Sequence, residues 1–391
     1  MARILVIHPA LGTGGGSRWS LQAAEALAAR GHAVTWVTSA PRQPAPAWRE
    51  FGLDTFHREF VGQFWPESVG DRGRAFLSNR RMTRLIRWCQ GNVRTPDAVL
   101  ADGVPFAMSA ARRAFPRSRV VFFCHFPELL YARRTPWLLA WHRRYWIRRE
   151  RAGLGATDHV LANSDYTRRR LLEHFPEFEG KTSVCHPAVA AVAAGAETPR
   201  HILCVARWAP EKNLPLAVRA FAEYRARAAA PGATPLPLVL AGGFDPGSPA
   251  AQATWVAVED EVRRAGLDDE NCRLLRNPSD AELDELYRRA LSVVHPAPHE
   301  HFGMIAPEAM LRGIPVIGIA GSGLAESVVE GETGFLVAPE PAPIAERLVQ
   351  LQRDEPLRSR LGATARERAA GHFLITHLGA RLEAALQARA T

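Results

Sequence analysis

Two glutamates, Glu300 and Glu308, stand eight positions apart in the run His299-Glu300-His301-Phe302-Gly303-Met304-Ile305-Ala306-Pro307-Glu308-Ala309-Met310. A carboxylate accepts two hydrogen bonds from vicinal hydroxyls, and the free peptide N–H groups at a helix start receive an anion such as a diphosphate. Proline suits the first helical turn, so a helix is expected to begin near Pro307. That places Glu300 on the preceding loop, the N–H groups of Gly303, Met304 and Ile305 at the helix start, and Glu308 on the helix itself. A sugar nucleotide offers a counterpart to each group: hydroxyls for the carboxylates, a diphosphate for the amides. A solvated carboxylate on a helix face is the plainer reading of Glu308.

A second candidate lies near the start. An apolar run at residues 3–8 leads into Pro9-Ala10-Leu11-Gly12-Thr13-Gly14-Gly15-Gly16-Ser17. Gly14, Gly15 and Gly16 let a backbone approach a phosphate or an acceptor closely, and the helix expected after them offers free N–H groups. A dinucleotide fingerprint would need glycine at Ser17 and an acid where Thr38-Ser39 stands, and a P-loop would need a lysine. A tight turn capped by Ser17 accounts for the same residues. His299 and His301 lack the H-E-x-x-H spacing of a zinc site, and no Asp-x-Asp pair is present, so no metal is expected.

These groups need a scaffold. Near-continuous apolar runs at residues 3–8, 33–38, 97–102, 119–124, 159–162 and 182–186 read as parallel strands buried on both faces. Amphipathic stretches at 17–30 and 168–174 lie between them. The small-residue segment 188–199 reads as a linker. The alternation then resumes with strands at 201–205, 236–241, 272–275, 292–295, 315–319 and 334–337, and helices at 214–228, 253–265 and 280–290. Residues 358–386 read as a helical tail broken near Gly371. The expected fold is α/β, with two Rossmann-like doubly wound domains facing a cleft: an N-terminal domain over 1–190 and a C-terminal domain over 200–372, with a helix at about 373–391 packing back on the first. Ligands are expected at the carboxyl ends of the strands.

The chain has 391 residues, of which 47% are hydrophobic and 23% charged, which is ordinary globular composition and fits two domains. No run of eighteen apolar residues suggests a spanning helix, and the start lacks a signal-peptide layout, so a cytoplasmic protein is expected. The five cysteines show no paired spacing and read as buried thiols rather than a disulfide or zinc framework. The net charge of +9 comes almost wholly from arginine, Lys181 and Lys212 being the only lysines. It favours anionic partners. A nucleic-acid-binding protein would exploit that charge, but would leave the paired glutamates and glycines unexplained.

Nearly the whole chain resembles the retaining glycosyltransferases of family 4, whose signature is a Glu, seven residues, then Glu. Val205-Ala206-Arg207-Trp208-Ala209-Pro210-Glu211-Lys212-Asn213 looks like that family's strand-end loop, and Gly313-Ile314-Pro315-Val316-Ile317 and Gly331-Glu332-Thr333-Gly334-Phe335-Leu336-Val337 look like its closing elements. The resemblance implies a GT-B fold and donor binding by Arg207, Lys212, Glu300, Phe302, Gly303, Met304, Ile305 and Glu308. In it Glu308 meets the ribose, Glu300 the transferred sugar, and Arg207 and Lys212 the departing diphosphate. A surface ion pair with Glu211 is the alternative for the two cations. The implied catalytic set is Glu300, His125, Arg207 and Lys212; His125 contacts the sugar, or else is a satisfied core histidine.

His8-Pro9, Cys124-His125-Phe126-Pro127, Asn163-Ser164-Asp165-Tyr166-Thr167 and Glu300-His301-Phe302-Gly303 are similar to the α-1,3-mannosyltransferases of asparagine-linked glycan assembly. They imply GDP-mannose as donor before any UDP-sugar, no further cofactor, and a lipid-linked saccharide or other glycan as acceptor. Nucleic acid is not an expected partner. A nucleotide-sugar epimerase on the same fold is the other enzyme class.

One stretch stands apart. In Arg133-Arg134-Thr135-Pro136-Trp137-Leu138-Leu139-Ala140-Trp141-His142-Arg143-Arg144-Tyr145-Trp146-Ile147-Arg148-Arg149, aromatics recur every four residues amid dense arginine. Such a helix suits an anionic membrane surface, with residues 133–151 lying at the inner face. A helix that buries those aromatics in the core is the equal alternative.

Overall fold

The computed structural model describes residues 1–10, 15–39, 56–62, 74–127, 140–192, 197–228 and 234–387. They form two compact units, one of Met1–Ala188 with Ile375–Thr391 and one of Val189–Leu374.

The first unit contains β1 (Arg3–His8), α1 (Gly15–Ala28), β2 (Ala33–Ser39), β3 (His57–Val61), α2 (Arg74–Asn92), β4 (Ala98–Asp102), α3 (Met108–Ala114), β5 (Arg119–Cys124), α4 (Ala140–Gly155), β6 (His159–Ala162), α5 (Asp165–Leu172) and β7 (Thr182–Val184). Its strands are all parallel, in the order β3-β2-β1-β4-β5-β6-β7. Ile4 to Ile7 of β1 are buried, as a central strand covered on both faces requires. Strand β3, His-Arg-Glu-Phe-Val, gives no apolar run because it lies at the sheet edge and exposes most of its side chains. Ser164 caps α5 by accepting the Thr167 N–H at 2.9 Å.

The second unit contains β8 (His201–Val205), α6 (Leu214–Ala228), β9 (Leu238–Gly242), α7 (Pro249–Arg264), β10 (Cys272–Arg276), α8 (Asp280–Arg288), β11 (Ala290–His295), α9 (Ile305–Leu311), β12 (Val316–Ile319), β13 (Gly334–Val337), α10 (Pro341–Arg353) and α11 (Glu355–His372). Its parallel order is β10-β9-β8-β11-β12-β13. Both sheets reverse direction beside their first strand, the point where doubly wound sheets open toward a ligand. Ser279 and Glu282 close a capping box at the start of α8.

Helix α12 (Ile375–Gln387) returns to the first unit. Leu378, Leu382, Ala385 and Leu386 join the cluster of Trp19, Leu27, Trp36 and Phe123. Glu383 accepts from Arg30 Nε at 2.6 Å, and Arg119 Nε donates to the Ala385 carbonyl at 2.7 Å.

The boundary between the units falls at the start of segment 188–199, where Val189 bridges to Leu374, and near its end the Glu197 N–H donates to the Arg288 carbonyl. The tail breaks at Phe373–Leu374, two residues past Gly371, which lies in the last turn of α11 with open space around it. Burial of Phe373 and the pairing of Leu374 set the break. All five cysteines are buried and free, and burial pushes the thiols of Cys185 and Cys204 up to about 12.

The arginine- and aromatic-rich stretch is described from residue 140 onward, so Trp137 lies outside the described residues, as do the side chains of Trp141 and Arg143. Tyr145 is exposed, whereas Trp146 packs its ring 4.7 Å from Phe106. Among the described residues no helix is long and apolar enough to cross a membrane.

Candidate active site

In the second unit the loop after β8 and the loop after β11 bring three ionisable groups together. Lys212 ends a short turn at Pro210–Lys212, held by Asn213 in the left-handed region at φ 49°. Its Nζ donates to Glu300 Oε2 at 2.6 Å. His295, the last residue of β11, donates from Nε2 to the same oxygen at 2.7 Å. Glu300 Oε1 accepts the His301 N–H at 3.0 Å. The Glu300 side chain is 11% exposed and Lys212 17% exposed. Among the described residues the buried Nδ1 of His295 has no hydrogen-bond partner.

Burial alone would push the Glu300 carboxyl up, but the His295 hydrogen bond and the Lys212 charge outweigh it and hold the carboxyl well below its ordinary range. Glu300 is therefore an anion at neutral pH and acts as an acceptor, not as a proton donor. A depressed carboxyl stabilises the fold at pH above its ordinary value of 4.5, and that stabilisation disappears as pH falls through the folded value. Glu300→Gln is thus expected to flatten the acid side of the melting-temperature profile below about pH 4.5 and to leave its slope above pH 6 unchanged. An acid limb identical to that of the parent protein would contradict this charge assignment.

The helix that carries the second glutamate starts earlier than expected. Helix α9 begins at Ile305, because the N–H groups of Ala306 and Glu308 already bond to the carbonyls of Gly303 and Met304. Pro307 sits inside the first turn, where its missing N–H costs nothing. Gly303 takes φ +79°, and a Cβ there would stand 2.6 Å from Leu324 and 3.0 Å from Glu300. Only glycine fits. Glu308, half-buried, accepts the Tyr287 hydroxyl at 3.1 Å.

Other expected donor residues fall differently. Arg207 is exposed and pairs with Glu211 at 3.1 Å, so the ion-pair alternative describes it in this structure. Lys212 turns to Glu300 instead. Phe302 is buried with Ala306 and Met310 and lies edge-on to Phe373 at 5.6 Å, so its ring is core and only its backbone is left for a ligand. Met304 and Ile305 are half-buried beside the start of α9.

In the first unit a second cluster forms at the carboxyl ends of β1, β4 and β5. Asp102, 1% exposed, accepts from His8 Nδ1 at 2.8 Å and from His125 Nε2 at 2.7 Å. Burial would push the Asp102 carboxyl up, but the His8 charge and the two imidazole hydrogen bonds bring it below its ordinary value. Ser17 is not the helix cap: it lies within α1, its Oγ 3.1 Å from His8 Nε2. Gly15 and Gly16 open α1, and a Cβ on Gly16 would stand 3.3 Å from His125 Nε2. Gly14 lies outside the described residues. His125 keeps 26% of its side chain exposed, with Trp19 and Phe123 edge-on to its ring. Sequence reasoning missed Asp102 and His295 as site residues. Both end strands of the sheets, and that position was the available signal.

Residues 190–368 match the family described as glycosyl transferases group 1, and residues 13–191 match glycosyltransferase family 4. The α-1,3/1,6-mannosyltransferase ALG2 of Mus musculus is 30% identical over 95% of this chain and 92% of its own length. The chain belongs to glycosyltransferase family 4.

The Neurospora crassa α-1,3/1,6-mannosyltransferase alg-2 is likewise 30% identical to this transferase, over 97% of this chain and 89% of its own. Among solved structures, sucrose-phosphate synthase from Thermosynechococcus elongatus superposes with a TM-score of 0.78 at 21% identity, covering 98% of each chain. Anabaena HepE in complex with UDP gives 0.73 at 16% identity, covering 97% of the transferase and 98% of its own chain. The two parallel sheets of the transferase are those of the GT-B fold, and neither the epimerase nor the nucleic-acid reading is favoured by its relatives.

Proposed function

We propose that this transferase moves mannose from GDP-mannose, with retention, to a saccharide carried on a lipid. The observation that carries the reading is the buried Lys212–Glu300–His295 group, with Glu308 five residues beyond Gly303 on α9. An anionic Glu300 accepts hydrogen bonds from the transferred sugar. Lys212 lies beside it, where charge grows on the diphosphate as the glycosidic bond breaks. Glu308 accepts from the ribose hydroxyls. The bond from the anomeric carbon to the phosphate oxygen breaks as the bond to the acceptor oxygen forms on the same face, and the leaving phosphate takes the acceptor's proton. The nucleotide sugar is a co-substrate, and no resident cofactor enters the reaction. A covalent sugar adduct on an enzyme side chain would overturn this route.

Titration calorimetry with GDP, UDP and ADP tests the donor. Selective binding of GDP, weakened about tenfold or more in Glu308→Ala, is expected from the loss of charge-assisted hydrogen bonds to the ribose. Selective UDP binding would move the donor to a UDP-sugar, and binding of none of the three would end the reading.

The exposed Arg144, Tyr145, Arg148 and Arg149 on α4 support attachment at the cytoplasmic face of an anionic membrane, where a lipid-linked acceptor is presented. Flotation with vesicles is expected to show binding that requires anionic lipid and falls with salt. Equal binding to neutral vesicles would remove the electrostatic part.

A further inference from the structure

A cavity of about 530 Å³ in the first unit lies among α2, α3 and α4, and five of the ten described residues lining it are arginines. Arg80, Arg84 and Arg87 follow one another on α2 at steps of four and three, which puts them on one face of the helix. Arg113 comes from the last turn of α3 and Arg149 from α4. Among the described residues no Asp or Glu lines the cavity, and Arg87, Arg113 and Arg149 have no acidic partner. Like charges gathered around one hollow repel, so the guanidinium groups of Arg87, Arg113 and Arg149 raise a positive local potential there.

Two further features give the hollow the character of a site. Phe106, 4% exposed, supplies an apolar wall. Asn79 also lines it, and its Oδ1 is buried without a hydrogen-bond partner among the described residues. Guanidinium forks match the paired oxygens of phosphate groups, and a buried amide oxygen suits a neighbouring hydroxyl donor.

We propose that this cavity binds a ligand carrying clustered phosphates, a diphosphate or a phosphorylated headgroup, at a site that uses none of the residues assigned to the transfer reaction. The shared chemistry is the phosphoryl anion. Its source is either the phosphates of a lipid or a soluble diphosphate.

Inorganic pyrophosphate is the probe, titrated calorimetrically into the parent protein, into Arg87→Gln/Arg113→Gln/Arg149→Gln, and into Lys212→Ala. The three arginines are exposed, so the triple variant is expected to fold as the parent does. Pyrophosphate binding is expected to weaken by about tenfold or more in the triple variant and to persist in Lys212→Ala, because each lost charge-assisted hydrogen bond accounts for about that much. Binding that is unchanged in the triple variant and lost in Lys212→Ala would place pyrophosphate in the second unit and overturn the proposal. Absence of any pyrophosphate binding to the parent protein would overturn it as well.

A second arm separates the sources. If pyrophosphate displaces the parent protein from phosphatidylserine-containing vesicles, and Arg87→Gln/Arg113→Gln, which keeps the membrane-facing Arg149, binds those vesicles weakly, the site takes lipid headgroups. If vesicle binding is the same in both proteins while pyrophosphate binding differs, the site takes a soluble diphosphate.

Discussion

Lys212→Ala is expected to lower kcat/KM for sugar transfer by about 10²–10³-fold, the usual consequence of deleting one preorganised group aimed at developing charge. The geometry makes the loss twofold in kind. In the proposed reaction Lys212 supplies a cation to the diphosphate, and in the structure it also holds one oxygen of a carboxylate that is 11% exposed. Without it, Glu300 keeps its His295 bond and the His301 N–H, so the fold survives with a stability loss of about 1–3 kcal/mol. Lys212→Arg should not rescue, because a planar fork does not fit the position of a compact ammonium that is 17% exposed. Steady-state transfer kinetics together with thermal melting separate the two losses. A kcat/KM within about twofold of the parent would show that Lys212 serves only the fold.

Asp102→Asn should lower kcat about a hundredfold, the scale seen when a reacting group is misplaced by a small distance. The carboxylate accepts from two imidazoles at once, at 2.8 Å and 2.7 Å. An asparagine has one acceptor oxygen and presents N–H groups to the other ring, so one histidine must turn or change tautomer. Two rearrangements are open: His8 changes tautomer and reverses the sense of its bond to Ser17, or His125 turns or changes tautomer. Nitrogen-15 spectra of the imidazoles read the tautomer directly, and a purely structural role would change them while leaving kcat unmoved. The expected result is a changed His125 tautomer, a reduced kcat and a donor KM within about threefold of the parent. Unchanged ring spectra with unchanged kcat would sink the argument.

Much of this arrangement was legible in the residues because parallel strands buried on both faces write themselves as apolar runs. Ile4–Ile7 and Val293–Val294 are examples, each buried in the centre of a sheet. Edge strand β3 was not legible: an edge tolerates Arg58 and Glu59, and its only signal is pairing with a neighbour distant in sequence. Spacing revealed Glu300 and Glu308, but it could not tell that Lys212 would reach Glu300 while Arg207 turned to Glu211. Glu211 lies four residues from Arg207 and next to Lys212, so local sequence favours it for both cations; the left-handed turn at Asn213 and the 88-residue return of the chain decide otherwise for Lys212. Asp102 and His295 were invisible for the same reason. A strand-ending polar residue shows its purpose only when the neighbouring strand end supplies a partner.

The return of α12 to the first unit also dictates an order of assembly on the ribosome. Trp19, Leu27 and Trp36 share a cluster with Leu378, Leu382 and Leu386, which are synthesised after every residue of the second unit. The first unit begins folding first and closes last, its sheet waiting half-covered while the whole of Val189–Leu374 emerges and collapses. During that interval the apolar surface that α12 will cover lacks its partner, and Val189 and Leu374, which pair with each other, mark the two ends of the inserted unit.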